Sequence, residues 1–259
     1  MKDAVRGSAQ EAPLVLVTGA GRRIGAAIAR RLHADGWRVA LHCGQSRELA
    51  LAAAEDFNAR RAGSAAVFEQ DLRAAEAATA LVAAVQARMG AVNALVNNAS
   101  SYFATPMGSI TAAQIDDLLG TNFKAPLLLT QAAGQAGGLG QVVNLLDAHS
   151  RHQPRSGFSA YTAAKDALWA LTETLAVELA PAVRVNGVAL GHILAEVSDP
   201  PSAAEKLDLD DKRAQLGRVP LQRYGTPQEV AAAVSWLLSA EAAFVSGSIL
   251  TLDGARHLA

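Results

Sequence analysis

Short runs of consecutive apolar residues alternate along this chain with longer stretches whose apolar positions recur every three or four residues. The short runs read as buried strands at Leu14 to Val17, Arg38 to His42, Ala65 to Phe68, Ala94 to Asn97, Val142 to Leu146, Val183 to Val188 and Ser248 to Leu252. The longer stretches read as helices at about Ile24 to Ala34 with Gly36 as its stop, Glu48 to Arg61, Ala75 to Arg88, roughly Ala112 to Gly134, from Tyr161 to about Leu179, and Pro227 to Leu238. Continuously apolar strands need cover on both faces, so the pattern predicts an α/β fold. The expected form is one doubly wound parallel sheet of about seven strands, with helices on both faces, in a single domain over residues 13–259. Ligands of such sheets sit beyond the carboxyl ends of the strands.

With 259 residues, 51% of them hydrophobic, the chain can bury one sizeable core, and no Ser/Gly-rich linker divides it. A net charge of −1 gives no electrostatic footprint for nucleic acid or an anionic membrane, which leaves a small molecule as the expected partner. The single cysteine, Cys43, excludes an internal disulfide framework. No apolar run approaches the ~20 residues of a membrane span. The opening MKDAVRGSAQEA has charges but no apolar centre, so residues 1–12 read as a mobile tail on a cytoplasmic protein rather than a secretory signal.

The first strand-to-helix turn is Thr18-Gly19-Ala20-Gly21-Arg22-Arg23-Ile24-Gly25. Glycines let a backbone turn sharply and approach a pyrophosphate, and the helix N-terminus behind them favours an anion. Gly19, Gly21, Arg22, Arg23 and Ile24 are therefore the expected phosphate cradle of a Rossmann-like nucleotide site, although a ligand-free turn is the plainer alternative. The usual GxGxxG fingerprint is not met, because its last glycine would fall on Ile24. The next strand ends in Leu41-His42-Cys43-Gly44-Gln45-Ser46-Arg47, with no acid to hold a ribose 2′-hydroxyl before Glu48. His42, Gln45, Ser46 and Arg47 could donate to a 2′-phosphate, with Arg22 opposite them, and this predicts NADPH as the cofactor.

Tyr161 and Lys165, four positions apart, share one helix face. A phenol has an ordinary pKa of ~10, and a neighbouring ammonium would stabilise its anion, so Tyr161 is the expected proton donor. Asp147, in the loop after the fifth strand, is either a second proton-handling group or a turn residue capping that loop. If it only caps the loop, Ser150, Ser156 or Ser159 would supply a hydroxyl to a substrate carbonyl. His149 and His152 read as solvated loop residues, and no metal site is expected.

Asn97-Asn98-Ala99, Asn122 and Tyr161-x-x-x-Lys165, in that order behind the Gly-rich turn, resemble the short-chain dehydrogenase/reductase family from Leu14 to the C-terminus. The resemblance implies that Asp71 and Leu72 flank an adenine and that Asn98 and Ala99 back the cofactor. It also implies that Lys165, beside Tyr161, holds the nicotinamide ribose, and that Asn122 orders a water chain relaying protons to Tyr161. Two departures stand out: Arg23 takes the place of the family's middle glycine, and Leu190-Gly191 replaces its common Pro-Gly.

Gly-Arg-Arg-Ile-Gly, Asn-Asn-Ala-Ser-Ser-Tyr, Leu-Asp-Ala and the closing Leu-Asp-Gly-Ala-Arg-His-Leu look like the pteridine reductase and dihydromonapterin reductase branch, where Asp replaces the usual serine. An ionised Asp would repel the alkoxide developing from a ketone, whereas a reduced carbon–nitrogen double bond leaves a nitrogen that must gain a proton. Asp147, protonated or passing protons from Tyr161, suits a pterin. By resemblance Ser100 touches cofactor or substrate, Tyr102 stacks on the flat ring, and Arg23 meets the pterin oxygen or the phosphates. Leu190 and His192 open a segment, 190–217, that this family uses as a substrate lid and that otherwise reads as a solvated insertion.

Together these features predict an NADPH-dependent reductase of a dihydropterin such as dihydromonapterin or dihydrobiopterin, with folate a further candidate. The runner-up is a ketoreductase of a 3-oxoacyl thioester, and a non-catalytic NADPH-binding regulator is the alternative from another class. The resemblance also implies a dihedral homotetramer, and Arg256 and His257, near the terminus, are expected to reach towards a neighbouring subunit's site.

Overall fold

A computed structural model of the chain describes residues 12–74, 76–153, 155–194 and 216–259. Seven strands form one all-parallel sheet in the order β3-β2-β1-β4-β5-β6-β7. They are β1 Leu14–Val17, β2 Arg38–Cys43, β3 Ala65–Glu69, β4 Ala94–Asn97, β5 Gln141–Asp147, β6 Arg184–Leu190 and β7 Ile249–Leu252. The described helices are α1 Arg23–Ala34, α2 Arg47–Arg60, α3 Ala77–Met89, α4 Ala112–Leu119, α5 Ala125–Ala136, α6 Ala148–His152, α7 Ser159–Glu178 and α8 Pro227–Leu237. The predicted single-domain Rossmann-like fold is what the chain adopts. Element ends differ from expectation by only a few residues, as fraying ends do.

The strand alternation explains the two core layers. Side chains of successive strand residues point to opposite faces. Val15 and Val17 accordingly join Ile28, Leu32, Val234 and Leu237 beneath α1 and α8, while Leu14 and Leu16 join Leu81, Val85, Leu129 and Leu175 beneath α3, α5 and α7. All four β1 side chains are fully buried. That is why the strand reads as a continuous apolar run rather than an alternating one.

The order reverses between β1 and β4, so a crevice opens beyond their carboxyl ends, where the Gly-rich turn and Asn98 lie. The expected long helix over Ala112 to Gly134 is broken. A π turn at Gly120–Lys124 separates α4 from α5, with the Ala125 N–H bonded back to Gly120 O. Pro126 supplies the reason: lacking an N–H, it cannot close the α-type bond to the Asn122 carbonyl. The short α6, which directly follows β5, was not anticipated.

The expected tail over 1–12 and lid over 190–217 fall, apart from residues 12, 190–194 and 216–217, outside the described residues. Among the described residues no helix is long and apolar enough to cross a membrane.

Candidate active site

Backbone forms the floor of the crevice. Gly19 has φ +64°, a left-handed conformation that favours glycine. A Cβ on Gly25 would stand 2.1 Å from Gly19 O, and one on Gly21 would stand 2.2 Å from Ser46 Oγ, so neither position admits a side chain unless its neighbours move. Thr18 and Asn98 hold this turn from behind. The Thr18 hydroxyl accepts from the N–H groups of Asn98 and Ala99 at 2.9 and 3.0 Å, and the Asn98 amide donates to Thr18 O at 2.8 Å and Gly19 O at 3.2 Å. The first turn of α1 has no capping side chain and no acidic residue. Its orphan N–H groups, flanked by exposed Arg22 and Arg23, make an anion site. These residues fit a dinucleotide pyrophosphate. Ile24 meanwhile packs its side chain on the core, leaving its main chain for the cradle.

Arg23, standing where a glycine was expected, has φ +51°. A non-glycine residue in that region carries strain of about 1–3 kcal/mol. The departure seen in the sequence is therefore also a conformational one.

His42 requires a correction. It is buried, its Nδ1 accepts from the Gly19 N–H at 3.2 Å, and its Nε2 lies 2.9 Å from Gln70 O. Both nitrogens are occupied and burial holds the imidazole below its ordinary pKa, so His42 is a neutral brace behind the turn rather than a donor to a 2′-phosphate. Gln45 is exposed, and Ser46 lies against Gly21. The Asp71 carboxylate is bound to Arg73, which draws its pKa down to about 2, and Leu72 packs on the core.

On the other side of the crevice α7 presents Tyr161 and Lys165, both buried. The Tyr161 hydroxyl donates to Asp147 Oδ2 at 3.0 Å. Lys165 Nζ donates to Leu145 O at 3.0 Å, and burial pulls its pKa down to about 8 against the pull of the Asp147 charge. Burial pushes the Asp147 carboxyl up, but His149, through its hydrogen bonds and its charge when protonated, and the Tyr161 hydroxyl together bring it below the ordinary value. Burial and the Asp147 charge hold the Tyr161 phenol well above its ordinary value. Two expectations change as a result. Asp147 is held as the ionised acceptor rather than the protonated form, and Asp147 outweighs Lys165 in setting the phenol, which stays a protonated donor.

The loop after β4 brings Tyr102 across. Its ring stacks on Phe158 at 5.0 Å and meets the Tyr161 ring edge-on at 4.8 Å, while its hydroxyl accepts from Arg155 Nη1 at 2.7 Å. Tyr102, Asp147, His149, Arg155, Phe158 and Tyr161 line one small cavity. Phe158 and Arg155 were missed in the sequence, although Phe158 lies three residues before Tyr161, a spacing that places both on one side of the helix start.

His149 is not a solvated loop residue. Its side chain is 12% exposed and its Nδ1 lies 3.0 Å from Asp147 Oδ1. Ser150 is buried, with its hydroxyl 2.7 Å from Asp166 Oδ1 and 2.9 Å from Asp147 O, so it is not free to polarise a carbonyl. Ser156 and Ser159 are exposed and do not line the cavity.

The remaining expected residues fall around this centre. Asn122 is fully buried in the π turn, its Oδ1 accepts from the Ser100 hydroxyl at 2.6 Å, and its Nδ2 donates to Ser101 O and Leu118 O. Its side chain thus ties the 97–102 loop to the helices rather than standing open to water. Leu190 ends β6 directly opposite Asp147. The His192 ring meets the His149 ring edge-on at 4.8 Å and stacks on Tyr224 at 5.9 Å. Arg256, expected to reach a neighbouring subunit, is buried within its own chain, where it bonds Gln153 and His192 at 3.0 Å, and the His257 N–H donates to Asp253. Among the described residues no cluster of side chains could hold a metal ion.

Comparison with known proteins agrees with this geometry. A family model for short chain dehydrogenases matches residues 13–206. Pteridine reductase 1 of Leishmania tarentolae is 35% identical, covering 95% of this chain and 97% of that protein. A 3-oxoacyl-[acyl-carrier-protein] reductase of Staphylococcus aureus is 29% identical over 94% of this chain and 97% of its own length. Gluconate 5-dehydrogenase of Gluconobacter oxydans is 32% identical over 92% of each. On this sheet, this turn and these similarities, the chain belongs to the short-chain dehydrogenase/reductase family and is an oxidoreductase that uses a nicotinamide cofactor.

Proposed function

We propose that the chain is an NADPH-dependent reductase of a pterin, with a dihydropterin as substrate. The observation that carries this reading is the hydrogen bond from the Tyr161 hydroxyl to Asp147, at 3.0 Å, in a cavity walled by the rings of Tyr102 and Phe158. The similarity to a pteridine reductase supports it. The similarity to a 3-oxoacyl reductase keeps a carbonyl substrate as the competing reading.

In this reading Gly19, Gly21, Arg22, Arg23 and Ile24 hold the pyrophosphate, and Asn98 and Ala99 back the cofactor. Asp71 and Leu72 flank the adenine, and Lys165 with Tyr161 holds the nicotinamide ribose. The absence of an acid between Cys43 and Arg47 supports the 2′-phosphate form, with Arg22, Gln45 and Ser46 as its donors. The cofactor supplies a hydride. Addition of that hydride to a carbon–nitrogen double bond leaves a basic nitrogen, and the protonated Tyr161 phenol delivers the proton to it. Asp147, ionised, orients the Tyr161 hydroxyl and accepts from substrate N–H groups. Tyr102 and Ser100 bound the flat ring, with Arg23, Leu190 and His192 at its margin. The lid over 190–217, a cytoplasmic location and a homotetramer that covers exposed Phe244, Val177 and Leu258 belong to the same proposal.

The test is NADPH oxidation by the purified chain with dihydrobiopterin, dihydromonapterin, dihydrofolate and an acetoacetyl thioester in parallel, repeated with NADH. The proposal expects turnover of a dihydropterin with NADPH. Turnover of the thioester alone would replace it with the ketoreductase reading.

A further inference from the structure

Asp147 divides its carboxylate between two neighbours. Oδ2 accepts from the Tyr161 hydroxyl at 3.0 Å, while Oδ1 accepts from the His149 main-chain N–H at 2.8 Å and lies 3.0 Å from His149 Nδ1. We infer that His149 is a positioning residue, whose Nδ1–H keeps the Asp147 carboxylate ionised and turned so that Oδ2 meets Tyr161. The inference rests on the reading of Asp147 and Tyr161 as the proton-handling pair.

The carboxylate sets the tautomer. Nδ1 faces an ionised carboxylate, which can only accept. The proton therefore sits on Nδ1, and His149 is a fixed donor to Oδ1. Because Asp147 is the N-cap of α6, the main-chain N–H of His149 donates to the same oxygen, so rotating the carboxylate would break two hydrogen bonds at once.

The groups around the pair fit this assignment. From α7, Tyr161 donates to Oδ2, Lys165 is bound to Leu145 O, and Asp166 is engaged by the Ser150 hydroxyl. From the loops, Arg155 is bound to the Tyr102 hydroxyl. The His192 ring lies edge-on to His149, and Arg256 Nη1 stands 3.0 Å from one of its nitrogens. His149 is thus the group that supplies the second hydrogen bond to Asp147.

The test compares His149→Phe, which keeps a ring but removes Nδ1, with His149→Asn, whose amide can place a donor near the Nδ1 position. The pH dependence of kcat/KM is measured with whichever substrate the wild-type chain reduces, so failure of the pterin reading leaves this test standing. Loss of a hydrogen bond to a buried carboxylate should move the acid limb of His149→Phe upward by about one pH unit and lower kcat/KM at neutral pH ~10-fold. His149→Asn should recover most of both, with NADPH affinity unchanged in each variant. A second arm reads the tautomer: long-range proton–nitrogen spectra of histidine-labelled wild-type protein should show an Nδ1–H histidine besides His257, whose Nδ1 faces Asp253 at 2.8 Å, and that signal should be missing from His149→Phe. An unmoved acid limb in folded His149→Phe, no recovery in His149→Asn, or His257 as the one Nδ1–H histidine would each overturn the inference.

Discussion

The two walls of the crevice are built from different materials. On the side proposed for the cofactor the working surface is backbone: Gly19, Gly21 and Gly25 leave room, and Thr18, Asn98 and His42 brace the turn from behind. On the side proposed for the substrate it is side chains, Tyr161, Asp147, His149 and Tyr102, in contact one with the next. A backbone surface tolerates no added atom, whereas a side-chain surface tolerates substitution but loses its charge pattern. The two sides should therefore fail in different ways.

The largest effect is expected from Tyr161→Phe. Removing the donor while keeping the ring should lower kcat by on the order of 1,000-fold, within the usual span for a lost general acid. NADPH binding, read by fluorescence titration, should change little, because the cradle is untouched. Gly25→Ala should fail in the opposite sense. Its Cβ would stand 2.1 Å from a backbone oxygen, so the turn must open. NADPH Kd should rise on the order of 100-fold, with a stability loss of about 1–3 kcal/mol by thermal melting.

A smaller effect tests Lys165. Its pKa is pulled down from 10.5 to about 8 by burial, so it is charged below that pH and neutral above it. If the ammonium holds the ribose, kcat/KM for NADPH should fall up to ~10-fold per pH unit above that point, since kcat/KM reports groups of the free enzyme. Lys165→Met should start lower and lose this alkaline limb. The smallest effect is at Arg23. Arg23→Gly removes a side chain from a φ +51° position, which should raise stability by about 1 kcal/mol. It should also weaken NADPH binding a few-fold, roughly the worth of one exposed cation.

The contrast between the walls also decides what could be read before the fold was known. The strands and the Gly-rich turn were legible because burial on both faces and close backbone approach demand particular residue types at particular spacings. Tyr161 and Lys165 were legible as an i, i+4 pair. The role of His42 was not, since a histidine ending a strand looks the same whether it faces solvent or braces a neighbouring turn. Only the approach of Gly19 and Gln70 separates the two cases. His149 was misread for the same reason: its meaning lies in α6 turning it back on Asp147, and a five-residue helix has too few positions to show a period. The break at Gly120–Lys124 did have a signal in Pro126, which the apolar pattern around it masked. Arg256 was placed by its closeness to the terminus, whereas its contacts to Gln153 and His192 are long-range ones.

The most direct measurement of the central claim is Asp147→Ser assayed against a dihydropterin and an acetoacetyl thioester with NADPH. An ionised carboxylate beside Tyr161 repels a developing alkoxide, while a hydroxyl stabilises it. The account predicts that the variant loses dihydropterin reduction by about 100-fold and holds or gains thioester reduction. Undiminished dihydropterin reduction in the folded variant would contradict it.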